Sequence, residues 1–443
     1  MIVGYYLFTP PQIGLADSAD FGRILPRIGL SHTTEISQDK FFNFFNPYYD
    51  VIGSPKVPVN IGQVIPLISV GVNNMFYTGT YSIYFLSALY FSLYLIAFYL
   101  FLRNSFQYIS GHTLKIIFGI LSIVILSDIM FVSYFNSFYQ EALFLIAAIY
   151  VVAFSVARSI NYNLLLIALV VLSLSKSQNI IFLIFPFCLV ISRYRQLNKF
   201  NLIGISFLLI FFMFFTFKEQ AQTNYANLYE AVFLGLMHEA NSKEQKEILA
   251  DLHLDKKGYL VNVKRGYWRP NNELIDNKEL FEEFYSEVGQ IDIIKTYLLN
   301  PKIFFKTAFS GVRLLFNNPA QPEHLGNYSK EESFEGEKTV VQTPWGYVVN
   351  YLALPIYFGA LLLSLIDFRQ KRIIKPDILI FTLILFIPVV YLAILIAGGI
   401  NDFVKHNLSV YYMISFLFLL CNLKLFEIGR KKNRIEINRN IRC

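Results

Sequence analysis

The chain has 443 residues, of which 55% are hydrophobic and only 16% charged, against about 25% charged in ordinary soluble domains. With 44 Phe and 29 Tyr as well, a soluble globule could not cover its own apolar surface, so that class is excluded and a polytopic membrane protein is left. The net charge of +7 invites a nucleic-acid partner, but the placement of the charges, given below, makes it a topology signal and argues against one.

Residues 1–8 are apolar, yet as a helix they rise only about 12 Å, against a hydrocarbon core about 30 Å thick. Thr9-Pro10-Pro11 then stops them. They are too short for a signal peptide and lack its basic flank, so they read as the outer end of a first transmembrane helix that begins upstream of this chain. Residues 10–60 form a polar loop with an aromatic cluster, Phe41-Phe42-Asn43-Phe44-Phe45. Residues 61–77 are broken by Gly62, Pro66 and Gly71 and suit an interfacial or re-entrant segment. The first full span covers 80–102 and ends at Arg103. Residues 114–127 return to Asp128, and 142–156 run on to Arg158.

Two short apolar runs, 163–174 and 179–191, surround Ser175-Lys176-Ser177-Gln178. Their brevity predicts helices that stop inside the outer half of the bilayer, with the polar turn in a protein-lined cavity, the setting in which irregular backbone is tolerated at that depth. Residues 201–217 lead into a polar block, 218–345, followed by apolar runs at 347–366, 378–397 and 408–423 and a basic tail. The block reads as mainly helical, with helical spacing at 226–237, a charged amphipathic stretch at 242–252, and an amphipathic stretch at 301–315 suited to the membrane surface. The predicted fold is an all-α polytopic membrane protein with about ten transmembrane helices, the first truncated. It divides into a transmembrane module 1–217 carrying the first exterior loop 10–60, an exterior domain 218–345, transmembrane helices 346–424, and a cytoplasmic tail 425–443.

The loops at 103–115, 158, 193–199, 367–377 and 424–443 hold 17 Lys/Arg against 4 Asp/Glu, whereas 218–345 holds 15 against 19. The positive-inside rule makes the first set cytoplasmic and the block exterior. Cys188 and Cys421 lie in apolar runs and Cys443 near the end, so no disulfide is expected in the block. His238, His253 and His324 show no metal-ligand spacing.

Four polar clusters fall on the exterior side: Asp17, Asp20 and Arg23; Asp128 with Gln140 and Glu141; Lys176 with Gln178; and Asp402, Lys405 and His406. Ionisable groups at membrane depth are costly and mark functional cavities. Each also has a plainer reading: Asp17 as a helix cap, Asp128 as a helix terminator, Lys176 as a snorkelling cation, Asp402 and His406 as an interfacial pair.

Leu15-Ala-Asp-Ser-Ala-Asp-Phe-Gly-Arg23, Ser133-Tyr-Phe-Asn-Ser-Phe-Tyr-Gln-Glu141, Leu174-Ser-Lys-Ser-Gln-Asn179 and Asn401-Asp-Phe-Val-Lys-His406 resemble a bacterial family of polytopic membrane hexosyltransferases of S-layer and cell-surface glycans. Asn227-Leu-Tyr-Glu-Ala-Val-Phe-Leu-Gly-Leu236, Leu252-His-Leu-Asp255 and Gly266-Tyr-Trp268 extend the likeness through the block, so that it runs from Pro11 to Leu420. The first helix is short, and no second acidic residue stands beside Asp402. The resemblance implies a GT-C glycosyltransferase of the bacterial cytoplasmic membrane, inverting, with a polyprenyl-phosphate sugar as donor and a glycan or lipid-linked acceptor. An acceptor hydroxyl must lose a proton as it attacks the anomeric carbon, so a carboxylate base is required; Asp20 takes that role and Asp17 orients it or the acceptor. The leaving lipid phosphate calls for cations, with Lys176, Arg23 and Lys405 as candidates and His406 assisting. GT-C enzymes differ in their use of a divalent metal, and the residues leave a metal open.

Two other readings use the same residues. A surface-polysaccharide polymerase would join two lipid-linked glycans. A non-enzymatic lipid-linked glycan translocator would commonly carry inverted repeats and charges near the midplane; no such repeat occurs here, and the charges cluster at one face.

Overall fold

The computed structural model describes residues 2–10, 12–17, 20–33, 45–56, 60–199, 225–254, 257–267, 272–317, 325–328, 344–370, 375–400 and 403–440, with a few positions between 202 and 212. The aromatic cluster at 41–44, most of the expected span 201–217, and Asp402 lie outside the described residues. Among those described, four helices are long and apolar enough to cross a bilayer: Tyr84–Tyr108, Pro344–Ile366, Lys375–Gly398 and Leu408–Gly429. A fifth crossing is available if His112–Leu126 and Ile129–Asn136, bent by 48° at their junction, form one broken span. The cause of the break is Asp128, whose extended backbone interrupts the helix while its carboxylate accepts the Met130 N–H at 2.9 Å and caps the next one. Four shorter apolar helices, Ile61–Asn73, Glu141–Ser155, Tyr162–Leu174 and Gln178–Arg193, rise only about 20 Å each, short of the roughly 30 Å hydrocarbon core.

The chain forms two compact units: Met1–Thr216 with Ala320–Leu385 and Tyr411–Cys443, and Phe217–Pro319 with Phe386–Val410. In the first, α1 (Ile2–Phe8) leads to β1 (Gln12–Leu15), which pairs antiparallel with a distant strand at Leu325–Tyr328, Gln12 facing Tyr328 and Leu15 facing Leu325. The strands β2 (Leu30–His32), β3 (Tyr48–Val51) and β4 (Thr80–Ser82) form an antiparallel sheet in that order. The fold is therefore mostly helical, and the expectation of an all-α protein is corrected at these strands. Strands of three or four residues are too short to print an alternating pattern, and β1 is buried at all four positions.

Asn136 ties this region together. Its amide donates to the carbonyls of Leu7 at 3.1 Å and Ile13 at 2.7 Å, and its carbonyl oxygen accepts the Ser87 hydroxyl. All of these groups are buried away from water. Asn136→Ala would take the amide donor from two buried carbonyls, at about 1–3 kcal/mol for each buried group left unpaired, whereas the Ser87 hydroxyl keeps the Ile83 and Phe135 carbonyls as acceptors. We expect a net loss of about 2–4 kcal/mol, visible as a lower unfolding temperature in detergent; an unchanged melting curve would rule this hub out.

The helix at Glu141–Ser155 ends with its carbonyls covered by side chains of other segments. Asn104 donates to Ala153 O at 2.9 Å, Gln107 and Tyr108 to Val156 O at 2.7 and 2.9 Å, and the Lys375 ammonium to Ala157 O and Arg158 O at 2.8 Å each. A helix end cannot be left with bare carbonyls in a low-dielectric setting, and these donors satisfy it. Nearby in sequence, Asp377 in the first turn of Lys375–Gly398 meets Lys424 of Leu408–Asn440 at 2.7 Å.

In the second unit, Tyr229, Phe233, Ile248, Tyr259, Phe284 and Ile293 centre an apolar core. The segment Ala231–Leu236 is a π-helix, and its carbonyls at 233, 234 and 235 are taken by Lys264 N, Ile400 N and the Thr307 hydroxyl. Gly399, at φ +64°, lies so close that a Cβ would stand 2.5 Å from Glu230 O, so only glycine lets the C-terminal end of the span dock there. Asn241 and Glu244 form a capping box at the start of Ser242–Asp251. The Asn241 N–H and the Lys306 ammonium hold the Glu244 carboxyl down to about 2.

Candidate active site

β1 delivers the chain into Ala16 and Asp17 with every residue buried. Asp17 is closed in: its Oδ1 accepts the Phe21 N–H at 3.0 Å, and its Oδ2 lies 2.9 Å from His32 Nε2. Its side chain is only 4% exposed, and His32 stacks at a tilt on Tyr49. The Phe21 N–H that Asp17 accepts is the first of the one-turn helix Phe21–Arg23, whose N-cap position is Asp20. Asp20 sits differently. Its carboxylate is 27% exposed and stands 3.5 Å from Arg23, itself half open to solvent. One loop therefore holds a braced, buried carboxylate and an accessible one three residues apart.

The segment 133–141 is laid against this loop. Phe138 and Tyr139 meet the Phe21 ring edge-on, and the Tyr139 hydroxyl donates to Ala16 O at 3.0 Å. Two residues on, Glu141 opens its helix and accepts the Lys176 ammonium at 2.6 Å, with side chains 8% and 17% exposed. Gln140 donates to Asn60 Oδ1 at 3.2 Å, the same oxygen that accepts the Gln63 N–H at 3.1 Å. Gly62 is pressed on both partners: a Cβ there would lie 2.5 Å from Ser175 O and 2.9 Å from Gln140 Cγ. Lys176 follows in extended conformation, so its ammonium turns back toward Glu141.

Asp17, Asp20, Arg23, Gln140, Glu141 and Lys176 thus share one connected stretch of the first unit. Gln178 lies on the exposed side of the turn after Lys176. Asp128 is spent on backbone: besides Met130 N–H, its Oδ2 accepts the Trp345 N–H at 2.8 Å, so one carboxylate caps two helices. Lys405 is buried and His406 half-buried on the short helix Phe403–His406 of the second unit. Asp402 lies outside the described residues. Sequence reasoning missed His32 and Asn60. His32 stands fifteen residues from Asp17, brought there on β2 by its pairing with β3, so no spacing rule pointed to it. Among the described residues, no three His, Cys, Asp or Glu side chains gather as a metal-holding group.

Chemically, the stretch offers a part-exposed carboxylate beside Arg23, a buried carboxylate–imidazole pair in the same loop region, and a lysine whose charge is balanced by a buried glutamate. A model of the YfdI N-terminal transmembrane domain matches residues 1–441. The chain belongs to that family. Membership, with the four to five candidate spans, makes it a multi-pass membrane protein. No curated protein and no solved structure matches the chain.

Proposed function

We propose that this member of the YfdI N-terminal transmembrane domain family is a membrane glycosyltransferase. It moves a hexose from a polyprenyl-phosphate donor to a glycan acceptor at the outer side of the bacterial cytoplasmic membrane. The observation that carries the reading is the contrast in the first loop between Asp20, 27% exposed beside Arg23, and Asp17, buried on the Phe21 N–H and His32. Family membership agrees with a glycan-related function, and the resemblance to cell-surface glycan hexosyltransferases supplies the donor class and the GT-C fold. The reading keeps about ten crossings: to the five candidate spans it adds the truncated first helix, the apolar helices at 141–155, 162–174 and 178–193 and residues 201–217, with the block 218–345 outside and the C-terminal tail in the cytoplasm.

In this mechanism the acceptor oxygen attacks the anomeric carbon as Asp20 takes its proton. The bond from that carbon to the phosphate oxygen breaks, and the electron pair leaves with the polyprenyl phosphate. Lys176 and Arg23 are the cations of the first unit suited to that growing charge; Lys405, His406 and Asp402 are assigned by the resemblance alone. Glu141 holds Lys176 meanwhile, so donor capture exchanges one anion for another on the same ammonium. The test is transfer of labelled hexose from polyprenyl phosphate to extracted surface glycan by the full chain in proteoliposomes. Labelled glycan is the expected product; intact donor with no product overturns the reading.

The Lys176–Glu141 pair makes a separate prediction. Lys176→Ala removes a charge-assisted contact worth about 1.5–3 kcal/mol, so the donor KM should rise about tenfold to a hundredfold with kcat less affected. It also leaves Glu141 without its cation. The double variant Lys176→Met/Glu141→Gln should therefore melt closer to the parent than Lys176→Ala while keeping the high KM. A double variant with parental KM would remove Lys176 from donor binding.

A further inference from the structure

In the second unit, the helices Gln290–Leu299 and Pro301–Asn317 join through a single residue and expose one continuous apolar row. On the first it comprises Ile291, Ile294 and Leu298, at spacings of three and four; on the second, Phe305 and Phe309. Leu298, Phe305 and Phe309 are 76%, 68% and 73% exposed, far more than aromatic and aliphatic side chains accept in water-facing helices. The opposite edge of Pro301–Asn317 is ordinary core: Ile303, Thr307 and Leu315 are buried. Lys302 and Arg313 stand at the two ends of the Phe305–Phe309 row, each exposed. The sequence alone suggested an amphipathic stretch; the structure adds its depth. The Tyr391 hydroxyl donates to Ala308 O, within this unit. Tyr391 lies seven residues before the end of the apolar span Lys375–Gly398, about 10 Å below its C-terminal end at 1.5 Å per residue. Ala308 is therefore level with apolar membrane-spanning helix, and Phe305 and Phe309 flank it.

We propose that this helix pair is an interfacial lipid-binding element, with Ile291, Ile294, Leu298, Phe305 and Phe309 in the acyl region of the bilayer. Arg313 runs its stem along that apolar surface and sets its charge at the headgroups. Glu244, bonded to Lys302 at 3.4 Å and Lys306 at 3.1 Å, fixes the roll of the second helix about its axis, so the phenylalanines keep one direction. The element thereby holds the second unit at a set depth against the membrane. This inference does not depend on the transferase reading.

The test uses the full chain with Cys188, Cys421 and Cys443 replaced by Ser. Nitroxides are placed in turn at L298C, F305C and F309C and, as a water-facing control, at K278C, where the lysine is 88% exposed on another helix. In phosphatidylcholine/phosphatidylglycerol vesicles, oxygen should reach the labels at 298, 305 and 309 better than a soluble nickel chelate does, with the reverse at 278. Nickel access at 305 and 309 equal to that at 278 overturns the proposal. So does exclusion of both relaxants together with spin–spin broadening, which would mean that a second copy covers the face. If the cysteine-free chain loses the parent's melting transition, F309W in the native background reads the same contact. Quenching by brominated acyl chains beyond that of the parent supports the proposal, and quenching by iodide instead overturns it.

Discussion

Asp20→Asn is expected to cut hexose transfer by about a hundredfold to ten-thousandfold, the range for loss of a general base. The amide keeps the shape of the carboxylate but has almost no basicity. Because Asp20 is partly exposed and meets Arg23 at 3.5 Å, the substitution should leave the unfolding temperature and the donor KM near the parent's. Single-turnover transfer in proteoliposomes, with donor binding measured separately, separates chemistry from capture. Asp17→Asn makes the contrast. An amide can still accept the Phe21 N–H, but the contact with His32 changes character, so loss of stability should accompany any loss of rate. If Asp20→Asn transferred at the parental rate while Asp17→Asn was inert, Asp17 would be the base. Parental rates for both would end the glycosyltransferase reading of this loop.

Lys424→Met should lower stability by about 3–5 kcal/mol, the cost of breaking a buried ion pair from one side. Asp377 and Lys424 meet at 2.7 Å with side chains only 7% and 3% exposed, so the carboxylate left behind can recruit little water. The pair joins the first turn of Lys375–Gly398 to Leu408–Asn440, and those elements should loosen together. Replacing both partners by apolar residues, Lys424→Met/Asp377→Leu, removes both desolvation costs and should return the melting temperature most of the way. A single variant as stable as the parent, or a double variant worse than the single, would show that the pair does not hold these helices. Neither result bears on sugar transfer, which keeps the two predictions independent.

The sequence by itself determined the membrane class, the places of the long apolar spans, and the stretches that carry ionisable groups. These properties are local: hydropathy over about 20 residues and charge at the ends of such a run suffice. It also placed the break at Asp128, the turn at Lys176 and the helical character of the polar block. It did not show the short strands, because three or four residues carry too little periodicity and their partners lie far off, Gln12 with Tyr328 and Leu30 with Val51. Roles within the charged clusters depended on partners too. Asp17 and Asp20 look equivalent in sequence, and only their surroundings separate them, one closed by Phe21 N–H and His32, the other open beside Arg23. Lys176 carried no sign of its glutamate, thirty-five residues earlier. Asp128 reads in sequence as a cavity residue or a helix terminator, and the fold sets the Trp345 N–H, 217 residues away, on its carboxylate. A side chain's type shows that it can bond or titrate; which partner it meets, and how much water it keeps, is decided by which backbone the fold brings beside it.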